Sequence, residues 1–313
     1  MQRHLLQSPQ WAEFQIAQGK TVINHHIADG DFIALVEKSH GKVGKFISRL
    51  YVPYGPTCTT EEELVKSIEQ IELYAKQQKV DYVRIEPIGA VFDAKILSKL
   101  GYRKRSQSTQ PEQTNIIAFK GKNQDEILSA MNATNRNLWR KNSSTKDGVT
   151  FTDSFSSKDA GPLTAMLKHV AKKNGVVFHS DEYFVSMLEI LGKKSLCGIS
   201  YAYLDGKELA GALFVINPES KTMYYLHAGS FDEAREHNAG NLLLSHLIFM
   251  ALNQGLDYFD MFGVSPPDSD STHKWYGLSR FKRSFGGEDV TYNGTWEKGM
   301  HKLKYEVLSR IRQ

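Results

Sequence analysis

Lys282 stands in the run Phe281-Lys282-Arg283-Ser284-Phe285, a cation set between aromatics. A lysine so placed is either a snorkelling surface residue, its stem on apolar surface and its ammonium in water, or a fixed charge held against a developing anion. Arg136 and Arg140 fall at i and i+4 of a predicted helix, so they share one face. That face is either simply solvated or a cationic strip for a polyanion. Tyr183 and Tyr225 taken alone are as readily packing residues as pocket walls. Asp257, Asp260, Asp268 and Asp270 invite a metal reading, but no histidines stand among them in ligand order and no metal is expected. Asp260, near the end of a predicted strand, is better suited to orienting a substrate amine. No general base is identifiable, and the substrate amine itself could lose the proton.

The charge around these residues is uneven. Net charge is only +4, yet Ile127 to Lys146 has no acidic residue and four cations, and Lys274 to Arg312 has nine Lys or Arg against four acids. Either these are solvated helix faces or they are the electrostatic footprint of a polyanion partner. At 313 residues, 41% hydrophobic and 24% charged, the chain has globular composition and the length of two domains. Cys58 and Cys197 are its only cysteines, too few for a disulfide framework or a metal site, which fits a reducing compartment. No stretch reads as a leader or a membrane span, so a cytoplasmic location is expected.

The elements that must position these residues are legible in outline. Pro9 to Ile16 predicts an opening helix, and Thr21 to Leu50 predicts strands with turns at Asp29-Gly30 and Gly41. Thr60 before three glutamates predicts a capped helix, Asp81 to Pro87 a strand, and Ala94 to Leu100 a short helix closed by Gly101. The order then restarts: a strand over 115–119, one helix over 125–141, a strand over 149–155, and helices over 159–174 and 181–191. Three strands over 196–204, 208–217 and 222–228 form an antiparallel meander, and a helix from Gly240 leads to a strand over 258–262. A meander, a glycine-opened helix and a strand is how acetyltransferase-like domains are built, with the helix N-terminus cradling the coenzyme A pyrophosphate. Here that place reads Arg235-Glu-His-Asn-Ala-Gly-Asn-Leu242, poor in glycine, which speaks against coenzyme A.

An ordered series of phrases carries a resemblance. His179-Ser-Asp-Glu-Tyr183-Phe184, Tyr224-Tyr-Leu-His-Ala-Gly-Ser230, Tyr258-Phe-Asp-Met-Phe-Gly-Val264, Tyr276-Gly-Leu278 and Arg280-Phe-Lys-Arg-Ser-Phe-Gly-Gly287 follow one another in the second half. With Ser8-Pro-Gln-Trp11 and Tyr51-Val-Pro-Tyr-Gly-Pro56 near the start, the series resembles the Fem family of peptidoglycan bridge-forming peptidyltransferases, in its compact form without a helical arm. The resemblance implies an α/β (α+β) fold of two tandem acetyltransferase (GNAT)-like domains. Residues 1–113 plus 291–313 would form the first and 114–290 the second, which carries the catalytic lysine motif.

The resemblance also implies an activity. Such an enzyme moves an amino acid of the glycine, alanine or serine class from aminoacyl-tRNA to the stem peptide of UDP-MurNAc-pentapeptide or lipid II. It would work as a monomer able to approach the inner membrane face, with no cofactor beyond the aminoacyl-tRNA co-substrate. Lys282 would stabilise the tetrahedral oxyanion, with Phe281 beside it at the tRNA terminus. His179, Tyr183, Tyr225 and His227 would contact the acceptor, and Arg136 and Arg140 the tRNA. His179 replaces an arginine and His227 a tyrosine of compact relatives, while Glu13 and Gln15 stand where the family can supply a lysine. The alternatives are an acyltransferase of the same fold using acyl coenzyme A or acyl carrier protein, and a non-catalytic tRNA- or precursor-binding module.

Overall fold

The Thr60 signal is realised in the structure, a computed structural model, as a reciprocal cap. The Thr60 hydroxyl accepts from the Glu63 N–H while the Glu63 carboxylate accepts from the Thr60 N–H. The structure describes residues 3–26, 31–38, 47–89 and 94–311, so the turns expected at Asp29-Gly30 and Gly41 lie outside the described residues.

In chain order the first elements are α1 (Pro9–Ala17), β1 (Thr21–His25), β2 (Phe32–Lys38), β3 (Ser48–Val52), β4 (Thr57–Cys58), α2 (Glu61–Gln77), β5 (Tyr82–Ile85), β6 (Ile88–Gly89), α3 (Ala94–Lys99) and β7 (Arg103–Lys104). There follow β8 (Gln113–Ala118), α4 (Gln124–Ala130), α5 (Ala133–Ser144), β9 (Thr150–Ser154), α6 (Ala160–Asn174), α7 (Asp181–Leu191), β10 (Cys197–Leu204), β11 (Lys207–Asn217), β12 (Thr222–Ser230), α8 (Ala239–Asn253), β13 (Tyr258–Gly263), α9 (Tyr276–Arg283) and β14 (Glu288–Thr291). The chain ends with β15 (Trp296–Gly299) and α10 (Lys302–Ile311).

Two compact units result: Met1–Glu112 with Thr291–Gln313, and Gln113–Val290. The first is built on a six-stranded sheet in the order β1-β2-β3-β5-β15-β7, so the returning strand β15 lies between β5 and β7. The second has a seven-stranded sheet in the order β14-β8-β13-β12-β11-β10-β9.

In the second unit, helices cover both faces of the sheet. Ala212, Phe214 and Ile216 of β11 pack with Leu243, Leu244 and Leu247 of α8. The alternate residues of β11 face α6. Gly211 and Gly229 are partners in register, and a Cβ at Gly229 would stand 2.9 Å from the Met166 backbone, so the helix can lie on the strands only where side chains are absent. Asp205 and Gly206, with φ of 51° and 77°, make the tight turn between β10 and β11.

One sequence expectation is corrected here. The single helix over 125–141 is two helices, broken at Met131 and Asn132, and Asn132 caps the second by accepting from the Asn135 N–H. A side-chain cap inside an apolar period breaks the helix without altering its spacing, so periodicity alone reads the two as one.

Candidate active site

Lys282, on the last turn of α9, is only 6% exposed. Its Nζ donates to the Gly263 carbonyl at 2.8 Å and to the Phe262 carbonyl at 3.4 Å. Those carbonyls are turned toward it by an irregularity in β13, where the pairing with β8 shifts between Asp260 and Gly263. Phe262 sits there with φ of 58°, a left-handed conformation unfavourable for an aromatic residue. Asp260 compensates: its Oδ1 accepts from the Phe262 N–H at 2.7 Å and from the Thr114 hydroxyl. Burial lowers the Lys282 pKa to about 8, with Asp260 acting in the opposite direction. Burial raises the Asp260 pKa to about 6 against its two hydrogen bonds and the Lys282 charge. The result is a buried cation and a buried acid whose titrations are drawn toward neutrality. Phe281 is half-buried, edge-to-face with Phe285 at 5.2 Å, and packs on the core around α8.

A second cluster lies at the start of α7. The His179 and Tyr183 rings stack at 3.8 Å, and His227 meets His179 at 6.1 Å and Phe184 at 5.0 Å. Burial, and then the His179 charge, lower the His227 pKa to about 4, so its imidazole is neutral at pH 7. It can exchange hydrogen bonds but brings no positive charge to a phosphate.

Tyr225 is not part of this cluster. Residues in register share a face, and the pairing slips so that Leu213 opposes His227 while Phe214 opposes Tyr225. Leu213 and Phe214 point to opposite faces, so His227 faces α6 and α7 while Tyr225 packs against the core around α8. The tyrosine on the same face as His227 is Tyr224, which opposes both Val215 and Asp260 and is buried. Sequence reading missed it because the bulge at Leu226 reverses the alternation. Asp260 had a local signal: an aspartate accepting from the N–H two residues on is an Asx turn.

The two arginines on α5 differ. Arg136 donates Nη1 to the Met131 carbonyl and, at 3.2 Å, to the Ser129 carbonyl, closing the end of α4. Arg140 is exposed. The expected shared cationic face is therefore reduced to one committed and one available side chain. Asp270 accepts from the Thr272 N–H at 2.8 Å and from its hydroxyl at 2.6 Å, which is turn chemistry. Among the described residues, no group of three or more His, Cys, Asp or Glu converges as metal ligands would, and no helix is long and apolar enough to cross a membrane. A cleft of about 440 Å³ opens at the N-terminus of α8, lined by Lys173, Asp232, Arg235, Asn238 and Gly240 among others.

Residues 202–313, which hold β12, α8, β13 and the Lys282 helix, match the FemAB family. Over these residues the chain is similar to that family. Aminoacyltransferase FemA of Staphylococcus aureus (strain bovine RF122 / ET3-1) is 31% identical over 114 residues, covering 34% of this chain and 26% of FemA. The match thus spans about a quarter of that relative's length. A crystal structure of FemX superposes with a TM-score of 0.83 at 18% identity, covering 98% of this chain and 94% of FemX. A tandem GNAT protein from the clavulanic acid biosynthesis pathway gives a TM-score of 0.52 at 10% identity, over 86% of this chain and 78% of its own. The fold of this chain is therefore mixed α/β with tandem GNAT-like units.

Proposed function

We propose that the chain is an aminoacyltransferase that moves an amino acid of the glycine, alanine or serine class from aminoacyl-tRNA onto the stem peptide of a peptidoglycan precursor, UDP-MurNAc-pentapeptide or lipid II. The observation that carries this reading is the buried Lys282, held by two backbone carbonyls within the stretch that matches FemAB. In the reaction an amine attacks an ester carbonyl, a C–N bond forms, the C–O bond to ribose breaks, and the amine proton ends on the ribose oxygen. The ester is already activated, so catalysis reduces to positioning and to charge aimed at the oxyanion. An ammonium has three donors, and two are committed to Gly263 and Phe262, which leaves one for the oxyanion. A pKa of about 8 keeps the ammonium mostly charged at neutral pH and within reach of proton transfer to the leaving oxygen. His179, Tyr183 and His227 on the α7 face supply hydrogen-bonding groups suited to the acceptor.

The test is incubation with a panel of charged tRNAs and both acceptors, read by mass spectrometry. A mass gain of one aminoacyl residue on the stem peptide is expected. A product formed only with acetyl coenzyme A would replace this reading with the acyl coenzyme A alternative, which the α8 cleft with Lys173 and Arg235 favours. Against that alternative, the Asp232 carboxylate lines the same cleft and is already paired with Lys173.

A further inference from the structure

His273 to Gly287 has no acidic residue and four Lys or Arg side chains. Its first part sets two aromatics beneath cations. Lys274 Nζ lies 5.3 Å from the centre of the Trp275 ring, and the Arg280 guanidinium 5.8 Å from that of Tyr276. Both rings are half-buried and both cations exposed. Among the described ion pairs of this unit, neither cation has a carboxylate partner. Neither ring belongs to the core around α8, so packing there does not account for them.

The rings stand on fixed backbone. The Ser279 hydroxyl donates to the Trp275 carbonyl at 2.7 Å and accepts from the Ser265 N–H at 2.7 Å. The Trp275 N–H donates to His273 Nδ1 at 3.1 Å, and the Tyr276 N–H to the His273 carbonyl at 2.9 Å. Ordering such a surface on binding costs little entropy.

We infer that Trp275 and Tyr276, with Lys274 and Arg280, form a stacking platform for unpaired nucleotides at the 3′ end of an RNA. The inference rests on the aminoacyl-tRNA reading and names the residues that hold the donor's single-stranded end. Tyr276 and Lys282 are six residues apart on α9, about 9 Å along its axis, so nucleotides held there deliver the esterified end toward the lysine. Every base has a π-face, and the unpaired cations can swing from the rings to the phosphates as bases arrive. An acidic peptide would satisfy the cations but leave the rings without planar partners.

The test uses a fluorescein-labelled single-stranded RNA octamer ending in CCA, with the same sequence as a blunt duplex for comparison. The single strand is expected to bind more tightly and to quench tryptophan fluorescence. Trp275→Leu and Tyr276→Leu should each weaken its binding about tenfold, within the range for loss of one base–aromatic stack, while Trp275→Phe stays close to wild type. Lys274→Gln and Arg280→Gln should each lower the salt slope by about 0.7, the value for one phosphate contact on a single strand. Octamer binding unchanged in folded Trp275→Leu and Tyr276→Leu, beside a wild type that transfers from aminoacyl-tRNA, overturns the platform and leaves the donor reading standing. A wild type that neither binds the octamer nor uses aminoacyl-tRNA overturns both. If Trp275→Leu does not fold, Tyr276→Leu and the Arg280→Gln salt slope decide between the same outcomes.

Discussion

Lys282 and Asp260 are two buried ionisable side chains of the second unit linked through the Phe262–Gly263 backbone. Lys282→Met keeps most of the stem and deletes the charge. Transfer should fall by at least ~10²-fold in turnover, with binding of both substrates nearly intact, because the lost interaction exists only in the transition state. Steady-state kinetics beside circular dichroism check this, and turnover above a tenth of wild type would return Lys282 to a structural role. The pH profile follows from the same pair. Lys282 must be protonated to hold an oxyanion, so activity should fall as pH rises through about 8. Asp260 supports the Phe262 turn best as a carboxylate, so activity should fall as pH drops through about 6. Asp260 raises the Lys282 pKa, so Asp260→Asn should abolish the acid limb and move the alkaline limb to lower pH. An alkaline limb that does not move in Asp260→Asn would show that the two groups are not coupled.

At the level of elements, side-chain caps and strand irregularities decide what each residue can reach. Asn132 divides one apolar period into α4 and α5, and Arg136 then spends its guanidinium on the α4 carbonyls. Arg136→Ala should therefore cost about 1 kcal/mol of stability, the scale of a half-exposed hydrogen bond, measured by urea unfolding. Arg140→Glu should leave stability unchanged and weaken tRNA binding most at low salt. The reverse assignment of the two effects would restore the shared cationic face. The slip in β12 works in the same way, putting Tyr225 in the core and His227 toward α7 although both lie on one strand.

On the scale of the whole molecule, the first unit is closed by sequence that follows the second. Strand β15 pairs with both β5 and β7, Glu297 is paired with Arg84, and the Thr295 hydroxyl donates to the buried Glu86 carboxylate, which also accepts from the Tyr51 hydroxyl. Deleting residues 291–313 would leave an inner strand position empty and Glu86 and Arg84 short of partners, a buried loss of several kcal/mol. The truncated chain should lose the cooperative unfolding of the first unit while the second still melts as a separate transition. A single unchanged transition in differential scanning calorimetry would contradict the discontinuous unit.

Local chemistry was enough to read the Thr60 cap, the meander and the phrase around Lys282, because each depends on neighbours within a few residues. The fold class came from the family resemblance, and the element order agreed with it, since a meander feeding a helix and a strand has few compact arrangements. Burial of Lys282, the shift of its pKa, and its two carbonyl partners did not follow. Nor did the exclusion of Tyr225, the role of Tyr224's face or the commitment of Arg136. All of these depend on which face a strand presents after a bulge and on which carbonyls a helix end leaves open. Such facts arise from contacts between residues distant in sequence, and only the folded chain fixes them.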